Sequence, residues 1–199
     1  ADGAIFVATM GGDLYRINPA NGSREWSKPF SASGAIGDLA LLPGNRLFVP
    51  SINKHVYIVD LKSGQVLQDF AADDWVWTRP AVDGEVAYFG DFGGTIYALD
   101  INTGSLKWSR PGTDRIKSGP AIVKGVLVVA DRKPAVHFLS AAEGNELNKV
   151  PIPDAGTVRA DVIAAPDGGA ALITTTAGKV FRADVSSYSV APLALGQSK

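Results

Sequence analysis

The chain has 199 residues, 46% of them hydrophobic, and its 19 basic and 20 acidic side chains leave a formal net charge of −1. That near balance excludes the basic excess of a dedicated nucleic-acid or anionic-membrane binder. The absence of cysteine excludes disulfides, thiolate catalysis and cysteine-held zinc or iron–sulfur centres, and runs such as Val126–Ala130 fall far short of the roughly 18 apolar residues a transmembrane helix needs.

Taken in order, the chain reads as short strands and turns with almost no helical periodicity. The first stretch runs AIFVAT, GDLYRINPANG and SREWSKPF. The second adds an earlier strand, Gly37–Leu42, before RLFVPS, KHVYIVDLKSG and QVLQDF. The third is the most complete: RPAVDG, EVAYFGD, GTIYALDINTG and SLKWSRP. Within it, Ile96-Tyr97-Ala98-Leu99 is an unbroken apolar run, the pattern of a strand buried on both faces. Asp100-Ile101-Asn102-Thr103-Gly104 is turn chemistry, because Asp and Asn side chains bond local backbone and glycine accepts the left-handed conformation. Trp108 ends the return strand and offers a large apolar surface to a neighbouring sheet. The fourth stretch, GPAIVKG, VLVVADR, PAVHFLSAAEG and NELNKV, keeps the strands but places Asn148 where Trp108 stands. The fifth, ADVIAAPDG, ALITTTAG, KVFRADVSS and SVAPLAL, has Tyr188 in place of the turn glycine and no tryptophan.

Aligning the hairpin aromatics gives Tyr15, Tyr57, Tyr97, His137 and Phe181, at steps of 42, 40, 40 and 44 residues. The turn glycines Gly22, Gly64, Gly104 and Gly144 keep the same rhythm. A period of about 40–45 residues carrying four strands is the signature of a β-propeller blade. The expected fold is therefore all-β, a propeller of five four-stranded antiparallel blades in one domain over 1–199. Blade boundaries fall near 1–34, 35–74, 75–115, 116–155 and 156–199. The first blade begins at what should be its second strand, since Ala1-Asp2-Gly3 matches the turn Val82-Asp83-Gly84. With Ser189–Leu195 needed as the last strand of the fifth repeat, no strand remains to close a ring. The expectation is five consecutive blades of a longer propeller, open at its ends and prone to self-association.

The string G-G-x-Φ-Y-A-L-D-x-x-T-G-x-x-x-W, carried by Gly93 to Trp108 and nearly by Gly11 to Trp26, resembles the PQQ-like (pyrroloquinoline-quinone enzyme repeat) propeller family. The resemblance covers the chain in five repeats and implies the fold. It does not select an activity, because the same repeat builds quinoprotein dehydrogenases, the barrel-assembly lipoprotein of bacterial outer membranes and sensor domains of receptor kinases.

In this blade layout the loops between second and third strands share one rim with the connections from blade to blade. Those connections lead into the innermost strands, so they crowd the mouth of the central channel. They read Phe30–Ile36, Ala71–Arg79, Pro111–Ser118 and Pro153–Arg159. The second is unusual: Asp73, Asp74, Trp75, Trp77 and Arg79 fall within seven positions, where a linker needs only small or polar residues. Trp and Arg are the residue types that most often anchor interfaces, which makes these five candidate ligand- or partner-binding residues. The alternative is that either tryptophan packs beneath the connection as blade-edge core. Asp38 and Asp161 sit at the start of innermost strands, where Pro80 and Pro120 stand in other blades, with Arg79 and Arg159 close to the same ring. Such groups bind a cation, an anion or a partner side chain at the channel mouth, or simply pair with one another.

Other chemistry finds no support. Asp100-x-Asn102-x-Gly104 has Pro111 at the twelfth position, where a calcium loop needs glutamate. There is no G-x-S-x-G, H-E-x-x-H, P-loop or G-x-G-x-x-G. His137 aligns with the repeat tyrosines as a structural residue, and His55 follows a turn. The expectation is a non-catalytic scaffold that binds a protein or small ligand through its loop rim, with no catalytic residue, cofactor, metal or nucleic acid. Two alternatives stay open: a fragment of a quinoprotein dehydrogenase holding pyrroloquinoline quinone and calcium, and a sensor domain of a larger receptor. A periplasmic or extracellular setting is expected, without a signal peptide or transmembrane segment in these residues.

Overall fold

Short runs of β-branched and aromatic residues, punctuated by glycine, asparagine and aspartate turns, fold into strands throughout the computed structural model, which describes residues 3–112, 114–153 and 155–194. The first sheet holds β1 (Ile5–Ala8), β2 (Asp13–Ile17) and β3 (Phe30–Ser31). The second holds β4 (Ala40–Leu42), β5 (Arg46–Pro50), β6 (His55–Asp60) and β7 (Val66–Ala71), and the third β8 (Ala81–Asp83), β9 (Val86–Gly90), β10 (Thr95–Asp100) and β11 (Leu106–Pro111). The fourth holds β12 (Ala121–Val123), β13 (Val126–Ala130), β14 (Ala135–Ser140) and β15 (Glu146–Pro151). The last holds β16 (Ile163–Ala164), β17 (Ala170–Thr174), β18 (Val180–Asp184) and β19 (Ser189–Pro192). Every sheet is a sequential antiparallel meander, so the chain is an all-β array of propeller blades.

Among the described residues four sheets have four strands and the first has three, without an innermost strand, as the sequence predicts. Two strands are shorter than expected. SREWSKPF gives no continuous strand: Arg24 makes one bridge to Ile17 and only Phe30–Ser31 pairs with β2. Between them Trp26 leaves the ladder for the next blade, and Pro29 has no amide to donate. The inner strand of the second blade starts at Ala40 rather than Gly37, because Asp38 donates its amide to the Trp77 carbonyl of the third blade's connection (2.8 Å) instead of to its own sheet. Gly37 lies so close to that carbonyl that a Cβ there would stand 2.1 Å from it. In the fifth blade β19 ends at Pro192. Leu195, like Ala1 and Asp2, lies outside the described residues.

The core is a series of blade-to-blade interfaces. Leu14, Trp26 and Phe30 meet Leu47 and Val49, joining the first two blades. Phe48 and Ile58 meet Phe89 and Leu99 between the second and third. Tyr88 and Ala98 meet Leu127 and Leu139 between the third and fourth, and Val128 and Phe138 meet Ile173 and Phe181 between the fourth and fifth. Because both faces of an internal blade are covered, the run Ile96–Leu99 is buried throughout. Among the described residues no core cluster joins the fifth blade to the first, and Ile5, Val7 and Ile163 of those terminal blades remain exposed.

The repeat tryptophans fasten each blade to the next. Trp26 lies on Gly64, and its indole donates to the Lys62 carbonyl at 3.1 Å. Trp108 lies on Gly144 in the same way and donates to the Ala141 carbonyl at 2.9 Å. A Cβ on either glycine would come within 2.8 Å of the ring, and both glycines hold φ near +73°. Where the tryptophan is replaced, a polar side chain reaches the same turn: Gln68 Nε2 donates to the Asn102 carbonyl and Asn148 Nδ2 to the Tyr188 carbonyl.

Candidate functional site

The connection between the second and third blades is held on both sides by backbone. The Val76 amide donates to the Ser51 carbonyl (3.2 Å), and the Trp75 carbonyl accepts from the Phe92 amide (2.8 Å). Successive side chains therefore point to opposite sides. Val76 is fully buried between the blades, whereas Trp75 is 45% exposed and Trp77 is half-buried. The other connections bury Ile36, Ile116 and Val158, with small alanines beside some of them, so packing is served by aliphatic residues. The two tryptophans reach the rim and are not blade-edge core.

Asp73 and Asp74 shape the same connection. The Asp73 amide donates to the Tyr97 hydroxyl (2.9 Å) and the Asp74 amide to Asp91 Oδ2 (3.1 Å). Asp74 Oδ1 accepts the Trp75 amide at 2.9 Å and stands 4.0 Å from Lys54 Nζ. The carboxylate of Asp74 thus fixes the turn into Trp75, while that of Asp73 is left exposed.

At the channel the strand registers Ala40↔Phe48, Ala81↔Tyr88, Ala121↔Val128 and Ile163↔Leu172 align the four inner strands. They place Asp38, Arg79, Gly119 and Asp161 at one level, one residue before the Pro80 and Pro120 position that the sequence suggests for the two aspartates. The first connection is a residue shorter than the second and third and the fourth is longer than either, which hides this when only sequence is aligned. Asp161 Oδ2 pairs with Arg79 Nε at 2.7 Å and its Oδ1 accepts the Gly119 amide at 2.6 Å. Glycine is needed there, since a Cβ would stand 2.7 Å from that oxygen. Burial and the Asp161 carboxylate push the Asp38 carboxyl up from its ordinary range, and Arg79 partly offsets them.

Above this ring opens a cavity of about 450 Å³. Asp38, Trp75, Trp77 and Arg159, four of the residues singled out in the sequence, line it. Arg79 instead faces a second hollow, of about 610 Å³, between the inner strands, where Leu41, Val82, Ile122 and Ile163 also lie. Asp73, Asp74 and Asp161 line neither. The sequence reading missed Met10, Ala35, Ile52, Phe92 and Lys117, which complete the cavity wall. Phe92 packs on Trp75 at 5.7 Å between ring centroids, and Lys117 Nζ sits 4.6 Å over the Phe92 ring. Counting back from the strand registers sets Trp77, Lys117 and Arg159 in one column, a signal that a blade-by-blade alignment carries and the Trp-rich segment alone does not.

Comparison with known proteins follows this geometry. A protein-family model described as "Outer membrane protein assembly factor BamB" matches residues 10–189. Proteins of that description from Shewanella oneidensis and Escherichia coli are 22% identical over 171 residues and 25% identical over 194 residues, covering 77% and 89% of this chain. The one from Legionella pneumophila is 28% identical over 178 residues. The chain spans less than half of the length of these relatives, 41%, 47% and 44% respectively. Among solved structures, BamB from Moraxella catarrhalis superposes with a TM-score of 0.78 at 15% identity, over 96% of this chain and 57% of that one. A computationally designed protein, Ika8, superposes at 0.79 and 17% identity over 97% of this chain and 56% of its own. The family match over most of the chain, with repeat, blade and turn geometry in agreement, shows that the chain belongs to the PQQ-like propeller family of the outer membrane protein assembly factor BamB.

Proposed function

We propose that this chain is a non-catalytic scaffold whose rim, carrying Trp75 and Trp77, engages a protein partner in outer membrane protein assembly, in the periplasm. The observation that carries this reading is the division of labour at Trp75-Val76-Trp77: the valine alone fills the blade interface, and a 45% exposed tryptophan is left on a rigid rim. Exposed aromatic surface of this kind is costly in water and is the usual anchor of an interface. The relatives' description as assembly factors supplies the process.

Among the described residues of the channel ring, a quinone and calcium find no matching donors. The ring offers two carboxylates, and both oxygens of Asp161 are already taken by Arg79 and Gly119, whereas calcium needs six to eight oxygens. A sensor role has no observation of its own. The test is a pair of variants measured for partner binding and for thermal unfolding. Trp75→Ala is expected to abolish binding with the melting temperature unchanged. Val76→Ala is expected to cost about 2 kcal/mol of stability, from the transfer and cavity contributions of two methyl groups. Retained binding in a folded Trp75→Ala variant would refute the proposal.

A further inference from the structure

We infer that the channel-mouth cavity receives an aromatic side chain flanked by carboxylates, presented by an acidic peptide segment of the partner; this rests on the rim being a protein-binding surface. The cavity volume, about 450 Å³, lies in the range of sites that enclose a side-chain-sized group. Trp75, Trp77, Phe92 and Ile52 give it an apolar, largely aromatic wall, which suits a ring in edge or offset contact.

The charges on that wall favour an anion. Lys117 and Arg159 both line the cavity, and neither forms an ion pair among the described residues. Lys117 is held over Phe92 by its ring face alone. The carboxylates that stand near are committed elsewhere. Asp161 is bound by Arg79 and Gly119, and Asp74 by the Trp75 amide with Lys54 beside it. Asp38 is the one carboxyl on the wall, and burial and Asp161 disfavour its charged form. A purely apolar guest would bury two cations without partners, which costs far more than the contact returns. A basic guest would meet them head-on. An aromatic ring with a neighbouring carboxylate satisfies both halves of the wall, and the carboxylate gains charge-assisted hydrogen bonds from the ammonium and guanidinium.

The experiment titrates the whole chain with N-acetyl-Asp-Phe-Asp-amide, with its Lys-Phe-Lys and Asp-Ala-Asp counterparts, and with 3-phenylpropionate. The readout is the indole N–H resonances. Those of Trp75 and Trp77 report the cavity, while Trp26 and Trp108, bonded to turn carbonyls, serve as internal controls. The acidic aromatic peptide is expected to shift only the first pair, saturably, with a dissociation constant below about 1 mM. It should bind at least tenfold more tightly than the other three ligands. Lys117→Glu and Arg159→Glu should each weaken it at least fivefold, Lys117→Gln should do so less strongly while keeping the fold, and Lys107→Glu on the outer strand should change nothing. Equal binding of all three peptides, no binding, or indifference to charge reversal overturns the inference. Equally tight 3-phenylpropionate would make this a small-molecule site and overturn it too. If the peptides fail while a protein partner still depends on Trp75, only this inference falls.

Discussion

The carboxylates of the hairpin turns show how single residues set conditions for the fold. Asp60, Asp100 and Asp184 each accept the amides two and three residues ahead. The Ser63 hydroxyl, ahead of the amides, holds Asp60 below the usual carboxylate range, the Thr103 and Asn102 amides hold Asp100 below it, and the Ser186 hydroxyl, ahead of the Ser186 and Ser187 amides, holds Asp184 at about 2. A group whose folded value is lowered adds stability that is complete above its unfolded value and vanishes as pH falls through the folded one. Asp38 acts in the opposite sense, since its charge is disfavoured in the fold. With these three turns and Asp167, which the Gly169 amide and then Arg182 also hold low, against one ring residue, thermal unfolding midpoints are expected to fall between pH 4 and pH 2. Asp184→Asn keeps an acceptor without a titration and should blunt part of the drop. A midpoint flat across that interval would contradict the assignment. The turns at Asp60 and Asp100 were legible in the sequence, because Asp-x-x-x-Gly is local chemistry, whereas the turn at Asp184 has Tyr188 in the glycine's place. The commitment of Asp161 to Gly119 was not, since it joins residues 42 positions apart.

Among the elements, each hairpin turn meets one residue of the preceding blade's outer strand, and against Gly104 that residue is Gln68. Tryptophan stands against glycine in Trp26–Gly64 and Trp108–Gly144, whereas Asn148 stands against Tyr188, itself in the left-handed region at φ 50°. A ring at position 148 would have no glycine to lie on. Asn148→Trp alone is therefore expected to destabilise the chain. Tyr188→Gly should relieve more of that loss in the double variant than it does alone, because glycine suits the positive φ and opens the seat. Strict additivity in chemical denaturation would argue against the pairing. The repeat period revealed each of these positions from sequence. What the ring touches was not legible, because the contact lies between blades and has no spacing of its own.

For the molecule as a whole, among the described residues, four blade interfaces are filled and no core cluster covers the outer faces of the first and last blades. Ile5 and Val7 on β1, which has no inner neighbour among the described residues, are both exposed. Sedimentation of the 199-residue chain is expected to show concentration-dependent association, weakened by Val7→Lys. A monomer at every concentration would contradict that. The three strands of the first sheet among the described residues were foreseeable from strand counting. The cavity was not, because its wall gathers Met10, Ile52, Phe92 and Lys117 from successive turns of the repeat.

The rim and the hairpin turns occupy opposite ends of every blade, which separates the two faces for experiment. The most direct measurement places a photo-crosslinking residue at position 75 on the rim or at position 142, exposed in the hairpin turn after β14, and irradiates the native cell. A rim that binds a protein of outer membrane assembly predicts a discrete adduct from position 75, lost with Trp77→Ala, and none from position 142. Adducts from position 142 with none from position 75 would contradict it.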